Sequence, residues 1–167
     1  IGEFARHVAR TGGLVLIVSP LMVVPQTVEE FARFYPDLPV DVVKSSGLGE
    51  WLRSGSGIGI TNYDALREDV SQQNLGALIL DESSMLKSHY GKYARKCIEL
   101  GTGLDYKLCC TGTPAPNDRI EYGNHAVFLD AFRSTNEFLA RYFVNRGQTG
   151  ERWEIKPHAL RPFYRDI

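Results

Sequence analysis

Two unbroken apolar runs stand out along the chain: residues 14–18, which stop at Ser19-Pro20, and Ala77-Leu78-Ile79-Leu80, which lead straight into Asp81-Glu82. Runs of this length without polar alternation predict strands covered on both faces. Tyr106–Cys110 reads as another buried strand, residues 58–60 as a compact one after the Gly-Ser turn at 54–57, and residues 40–43 as a short one. Between them the apolar spacing changes to three and four. Ile1, Phe4, Ala5 and Val8 mark a helix stopped by Thr11-Gly12-Gly13; Val28, Phe31, Ala32 and Tyr35 mark one opened by Pro25 and closed by Pro36. A brief helical turn is expected at 50–53 and a short helix through Leu66. A longer helix at 90–100 carries Tyr93, Ala94, Cys97 and Ile98 on one side. Two more follow at 120–129 and 135–144, the second capped by Ser134 or Thr135.

Strands alternating with helices predict an α/β fold, a doubly wound parallel sheet flanked by helices, whose ligands gather at the C-terminal edge of the strands. Ser19, Thr61, Asp81 and Thr111 all fall there. The chain has 167 residues, enough for one domain with a real core. Its 19 basic and 20 acidic residues leave a net charge of -1, so a nucleic-acid partner would have to be met by local contacts. Cys97, Cys109 and Cys110 have no metal-ligand spacing, and a reduced intracellular setting is expected. The longest apolar stretch, residues 14–24, is broken by Ser19-Pro20 and is too short for a bilayer span; no membrane partner is expected. The chain opens on Ile1, which reads as a piece of something longer.

Asp81 and Glu82 sit where a buried strand emerges, the layout of a Walker B strand. The first carboxylate can hold Mg2+ through its water shell and the second can activate an attacking water. Asp81 or Ser83 is equally able to cap a following helix.

Taken together, the strand ends resemble the first RecA-like domain of superfamily 2 helicases, and most closely its Swi/Snf-type branch, including phage and bacterial members. Leu16-Ile17-Val18-Ser19-Pro20 with Val24-Pro25-Gln26-Thr27 is similar to motif Ia, and Ile60-Thr61-Asn62-Tyr63 with Leu66 to motif Ib. Leu80-Asp81-Glu82-Ser83-Ser84 with Leu86-Lys87-Ser88 is similar to motif II, the DEAD/DEAH box. Cys110-Thr111-Gly112-Thr113-Pro114-Ala115-Pro116-Asn117 is similar to motif III.

The resemblance implies a RecA-like P-loop NTPase fold, ATP and Mg2+ as cofactors, Asp81 on the metal and Glu82 on the water. It also implies Thr111, Gly112 and Thr113 as coupling residues, and Ser19, Pro20, Thr61, Asn62 and Tyr63 on the phosphate backbone of DNA. The implied partners are duplex or single-stranded DNA and a second RecA-like domain of the same parent, in a cytoplasmic, DNA-associated setting. Residues 1–150 would be the partial motor domain and 151–167 an extension towards the second; Trp153-Glu154-Ile155-Lys156-Pro157-His158 resembles a segment after the first domain in phage-type members.

Two departures shape the expectation. Ser83-Ser84 replaces the Ala-His or Ala-Asp of many relatives, and no Gly-x-x-x-x-Gly-Lys-Ser/Thr loop occurs in the 167 residues. Residues 1–10 are expected to be the tail of a helix that begins upstream, and in relatives that loop lies shortly before this helix. The isolated chain is therefore expected not to turn over ATP, while its parent does. The rival readings are a DNA- or protein-binding module that does not hydrolyse ATP, and some other P-loop ATPase, which would leave motifs Ia, Ib and III unexplained. Lys87, Ser88, Lys92, Arg95 and Lys96 form either a basic face near DNA or a solvated helix face. His89 and His125 lack partners at ligand spacing, Cys109 and Cys110 read as core, Trp51 and Trp153 as packing, and Asn117 as a cap.

Overall fold

β1 (Leu14–Ser19) is the centre of the molecule, with all six residues buried. It pairs in parallel with β3 (Ile58–Asn62) on one side and β4 (Leu75–Asp81) on the other. β2 (Val40–Val42) lies outside β3 and β5 (Tyr106–Cys110) outside β4, giving a five-stranded parallel sheet in the order β2-β3-β1-β4-β5. This computed structural model describes residues 1–66, 70–71, 74–87, 91–115, 117–148, 150 and 152–167. Ser88, His89, Tyr90 and Pro116, singled out above, lie outside the described residues.

Side-chain alternation along the strands builds two cores. Val15, Ile17, Ala77 and Ile79 face α1 (Gly2–Arg10) and α2 (Val24–Phe34), where they meet Ala5, Val8 and Phe31. Leu16, Val18, Leu78 and Leu80 face the other way, onto Leu48 and Leu52 of α3 (Leu48–Ser54) and Ala94, Cys97 and Leu100 of α4 (Lys92–Gly101). Covering both faces explains why these strands read as continuous apolar runs.

The β1–β4 register contains one irregularity. Leu14 pairs with Leu75 but Val15 with Ala77, so Gly76 is an extra residue inside β4. A side chain there would meet the backbone of Gly13, with Cβ 2.8 Å from its Cα. Two glycines facing one another let the strands cross at this point. From Ala77 onward the ladder carries Val18 opposite Leu80 and places Asp81 on the α1/α2 face, at the strand exit.

Beyond β5, a 3-10 turn at Arg119–Glu121 leads into α5 (Tyr122–Phe128), followed by α6 (Thr135–Tyr142). Ser134 caps α6, accepting a hydrogen bond from the Glu137 N–H. The pattern at 135–144 predicts one helix, yet the chain turns extended at Phe143 and β6 (Phe143–Asn145) pairs antiparallel with β7 (Trp153–Ile155). α7 (Leu160–Asp166) then returns Phe163, fully buried, against Phe138, Tyr142 and Phe143. The boundary drawn at residue 150 falls inside the β6–β7 hairpin.

β5 also differs from expectation. Every residue of it is only half-buried, because β5 is the last strand of the sheet and among the described residues pairs with β4 alone. Trp51 packs flat on β3: a Cβ at Gly59 would lie 2.4 Å from its ring, and its Nε1 donates to Asp41 Oδ2 at 3.4 Å. No helix among the described residues is long and apolar enough to cross a membrane.

Candidate nucleotide and nucleic-acid site

The chemistry gathers where β4 ends. Asp81 is half-buried, and both carboxylate oxygens are engaged: the Ser19 hydroxyl donates to Oδ2 at 2.9 Å, and the backbone N–H of Glu82 donates to Oδ1 at 3.1 Å. Ser19 is the next step of the β1–β4 ladder after Val18 and Leu80, on the same face as Asp81, which is why the two side chains meet. From β3, the Tyr63 hydroxyl donates to the Asp81 carbonyl at 2.8 Å. Burial pushes the Tyr63 phenol well above its usual range, so it stays a neutral donor.

Glu82 is exposed and its backbone is left-handed, with φ 48° and ψ 50°. An L-residue with a long side chain pays about 1–2 kcal/mol for this conformation. The twist turns the chain out of β4 and starts the 3-10 turn Ser83–Leu86. Neither Asp81 nor Ser83 caps a following α-helix at this point; the turn has no side-chain cap.

Asp81, Glu82 and Cys110 line a cavity of about 770 Å3 that also reaches Ile1, Gly2 and Glu3 at the start of α1. Mg2+ suits this donor set, since it keeps several waters and needs only one or two carboxylates plus substrate oxygens. Asp81 and Glu82 are such a pair, and among the described residues no group of three or more His, Cys, Asp or Glu gathers to form an all-protein metal cage.

The other expected site residues divide. Ser19, Thr61 and Tyr63 are turned inward, 0%, 2% and 2% exposed, with the Thr61 hydroxyl donating to the Val43 carbonyl at 2.7 Å. Pro20 and Asn62 are half-buried at the same edge, beside Leu21 and Met22, which are strongly exposed and which motif reasoning passed over. Thr111 is half-buried, whereas Gly112 and Thr113 are exposed; the Thr113 N–H donates to Thr111 Oγ1 at 3.1 Å, closing a local turn. Asp118, not Asn117, caps the following 3-10 turn, while Asn117 donates twice to the Glu121 carboxylate, from N at 3.1 Å and Nδ2 at 2.8 Å.

Several side chains are structural. Lys96 is 6% exposed and paired with Glu99 at 3.1 Å, and Lys92 lies 3.7 Å from Asp64, so these two do not present a free basic face. Burial raises the thiol of Cys97, lifts Cys109 to about 12 and raises Cys110, which keeps all three in the unreactive thiol form. Trp153 packs with the aromatic cluster of α6 and α7. His125 and Asn124, given no site role by the sequence, touch the turn after Glu82; no local spacing announces this, since the partners are about forty positions apart.

A parallel α/β sheet with an acidic pair where a central strand ends is the layout in which doubly wound folds gather their ligands. The chain belongs to the SNF2-related domain family, whose model matches residues 4–152. It is 28% identical over 164 residues to the probable ATP-dependent DNA helicase CHR12 of Arabidopsis thaliana, covering 89% of this chain and 13% of that protein. Similarity extends to the ATP-dependent DNA helicase DDM1 of the same plant, at 27% over 81% of this chain and 20% of the relative. The ATP-dependent helicase brm of Drosophila melanogaster is also 27% identical, over 86% of this chain and 9% of its own length. The chain thus spans a fifth or less of these relatives. Among solved structures, the Sulfolobus solfataricus SWI2/SNF2 ATPase core in complex with dsDNA matches with TM-score 0.59 at 20% identity, over 84% of this chain and 30% of that one. The Pyrococcus furiosus Hef helicase domain matches with TM-score 0.57 at 18% identity, over 75% and 29%. These two likenesses support the RecA-like fold.

Proposed function

We propose that this chain is the motif II half of the first motor lobe of a DNA-dependent ATPase, a helicase or translocase that couples ATP hydrolysis to movement on DNA. The observation that carries the reading is the placement of Asp81, held by the Ser19 hydroxyl, and Glu82 together on one cavity where β4 ends. The helicase names of the curated relatives support it. Those relatives are plant and insect proteins, so the phage or bacterial affiliation rests on motif wording alone.

In the proposed mechanism Asp81, oriented by Ser19 and the Glu82 N–H, holds the water shell of Mg2+. When bound, that ion supplies charge neutralisation at the phosphates. Glu82 would accept a proton from the attacking water. Pro20 and Asn62, the more accessible members of motifs Ia and Ib, lie at the DNA side, while Ser19, Thr61 and Tyr63 brace the loops that carry them. Thr111, Gly112 and Thr113 form the coupling loop towards the second RecA-like domain.

We further propose that the parent supplies a strand and a Gly-Lys-Ser/Thr loop ahead of α1. β5 is the last strand of the sheet and only half-buried, so that strand would add beside it, with a right-handed crossover through α1 connecting it to β1. The 167-residue chain alone would then hydrolyse no ATP. A non-hydrolysing module is disfavoured by Glu82, an exposed carboxylate on a left-handed backbone that glycine or asparagine would adopt with less strain.

The deciding experiment is steady-state ATP hydrolysis by the full-length parent, with and without duplex or single-stranded DNA, alongside Glu82→Gln. DNA-stimulated hydrolysis lost in Glu82→Gln, with ATP binding retained, is the expected result. A folded parent that hydrolyses no ATP on any nucleic acid would shift the assignment to a binding module.

A further inference from the structure

The 3-10 turn Ser83–Leu86, which fixes where Glu82 points, is gripped at both ends by consecutive residues of α5. At its start, Ser83 is fully buried with its hydroxyl 3.1 Å from His125 Nε2. At its end, Asn124 Nδ2 donates to the Leu86 carbonyl at 2.6 Å. Asn124 and His125 are themselves 4% and 6% exposed. Buried hydrogen bonds of this kind fix geometry because breaking one leaves a polar group without water.

One turn earlier, the start of the same helix is held by motif III. Glu121, in the 3-10 turn that opens into α5, takes both hydrogen bonds from Asn117. One short, rigid element therefore joins the last residue of motif III to the turn of motif II. Thr111 and Thr113, by contrast, hydrogen-bond to one another.

We propose that Asn124 and His125 are positioning residues that transmit displacement of Asn117 through α5 to the Ser83–Leu86 turn, and so set the aim of Glu82. This rests on the ATP-motor reading above. Sub-ångström shifts of a catalytic carboxylate are enough to change a rate severalfold, and Glu121, Asn124 and His125 lie within a single turn, so a displacement of the first carries the other two with it.

The test uses the full-length parent, measuring kcat and KM for ATP with and without DNA for Asn124→Ala, His125→Ala, His125→Gln, Ser83→Ala and the Ser83→Ala/His125→Ala double variant. Circular dichroism confirms folding, and Ser83→Ala, the smallest change, keeps the test decisive if a histidine variant does not fold. Expected is an about tenfold fall in the ratio of DNA-stimulated to basal kcat for Asn124→Ala, His125→Ala and Ser83→Ala, with the KM for ATP unchanged. His125→Gln, which keeps a hydrogen-bonding group near Nε2, should recover most of the ratio, and the double variant should be no worse than either single one. An unchanged stimulation ratio, equal losses in basal and stimulated rates, or fully additive losses would overturn the proposal. Glu82→Gln separates the two layers. If it abolishes hydrolysis while the α5 variants behave as wild type, the motor reading stands and the positioning role falls; if it hydrolyses normally, both fall.

Discussion

Gly76→Ala tests the register that puts the carboxylates in place. The added Cβ would stand 2.8 Å from Gly13 Cα, 3.3 Å from Gly13 C and 3.4 Å from Leu14 N. Carbon atoms rest at about 3.5–4.0 Å, so β1 and β4 must separate by roughly 1 Å where they start to pair. The obstacles are backbone atoms of the central strand, which no rotamer change can remove. Overpacking costs about 1–3 kcal/mol, and a backbone clash belongs in the upper half of that range. Against it stands a gain of about 0.4–1 kcal/mol from the less flexible unfolded chain. The net expectation is a loss of about 1–2.6 kcal/mol, a fall of roughly 2–10 °C in Tm for a chain of this size. Urea and thermal denaturation of the 167-residue chain measure it. Gly112→Ala is the control, since a Cβ there meets nothing within 4 Å, and it should stay within about 0.5 kcal/mol of wild type. A Gly76→Ala chain as stable as wild type would refute the bulge, and with it the register that brings Ser19 to Asp81.

Three further outcomes follow from named contacts. Tyr63→Phe removes a buried donor from the Asp81 carbonyl and should lower stability by about 1–2 kcal/mol in urea denaturation; an unchanged midpoint would remove that bond from the account. Phe163→Ala, in the centre of the aromatic cluster, should cost about 3–5 kcal/mol, and a loss under about 1 kcal/mol would show that α7 is not docked as described. Burial holds the His125 imidazole below its ordinary value, so below about pH 6.5 the unfolded chain binds the extra proton first. Its contribution is complete above that pH and is lost as the pH falls towards the lowered folded-state value. His125→Gln should flatten the decline in urea midpoint between about pH 7.5 and pH 5, and an identical slope in both proteins would contradict the buried neutral imidazole.

What could be read from the sequence, and what could not, follows the range of the interaction. β1 and β4 declared themselves because both faces are covered, and Asp81 followed from its place after an apolar run. β5 shares the apolar run, but its place as the last strand depends on which strands flank it, and no local pattern carries that. The β6–β7 pair escaped because three-residue strands show no alternation, and Phe143 continues the helical spacing of α6. α7 was hidden by Pro162, which normally argues against a helix; at its third residue the missing N–H is one the first turn leaves unpaired anyway. At the site, Ser19 and Tyr63 sit at strand ends as expected, but their turn towards Asp81 depends on the offset introduced by Gly76. His125 and Asn124 depend on α5 returning beneath the motif II turn.

The left-handed backbone at Glu82 gives stability and chemistry opposite preferences at one position. Glycine or asparagine adopts that conformation with less strain than glutamate, so a library selected only for resistance to heat would drift towards them. Each such step would leave the fold sounder and the proposed water-activating group gone. Descendants of this domain that have given up hydrolysis should then be recognisable by the replacement at this position, with the sheet, the bulge and the aromatic cluster intact.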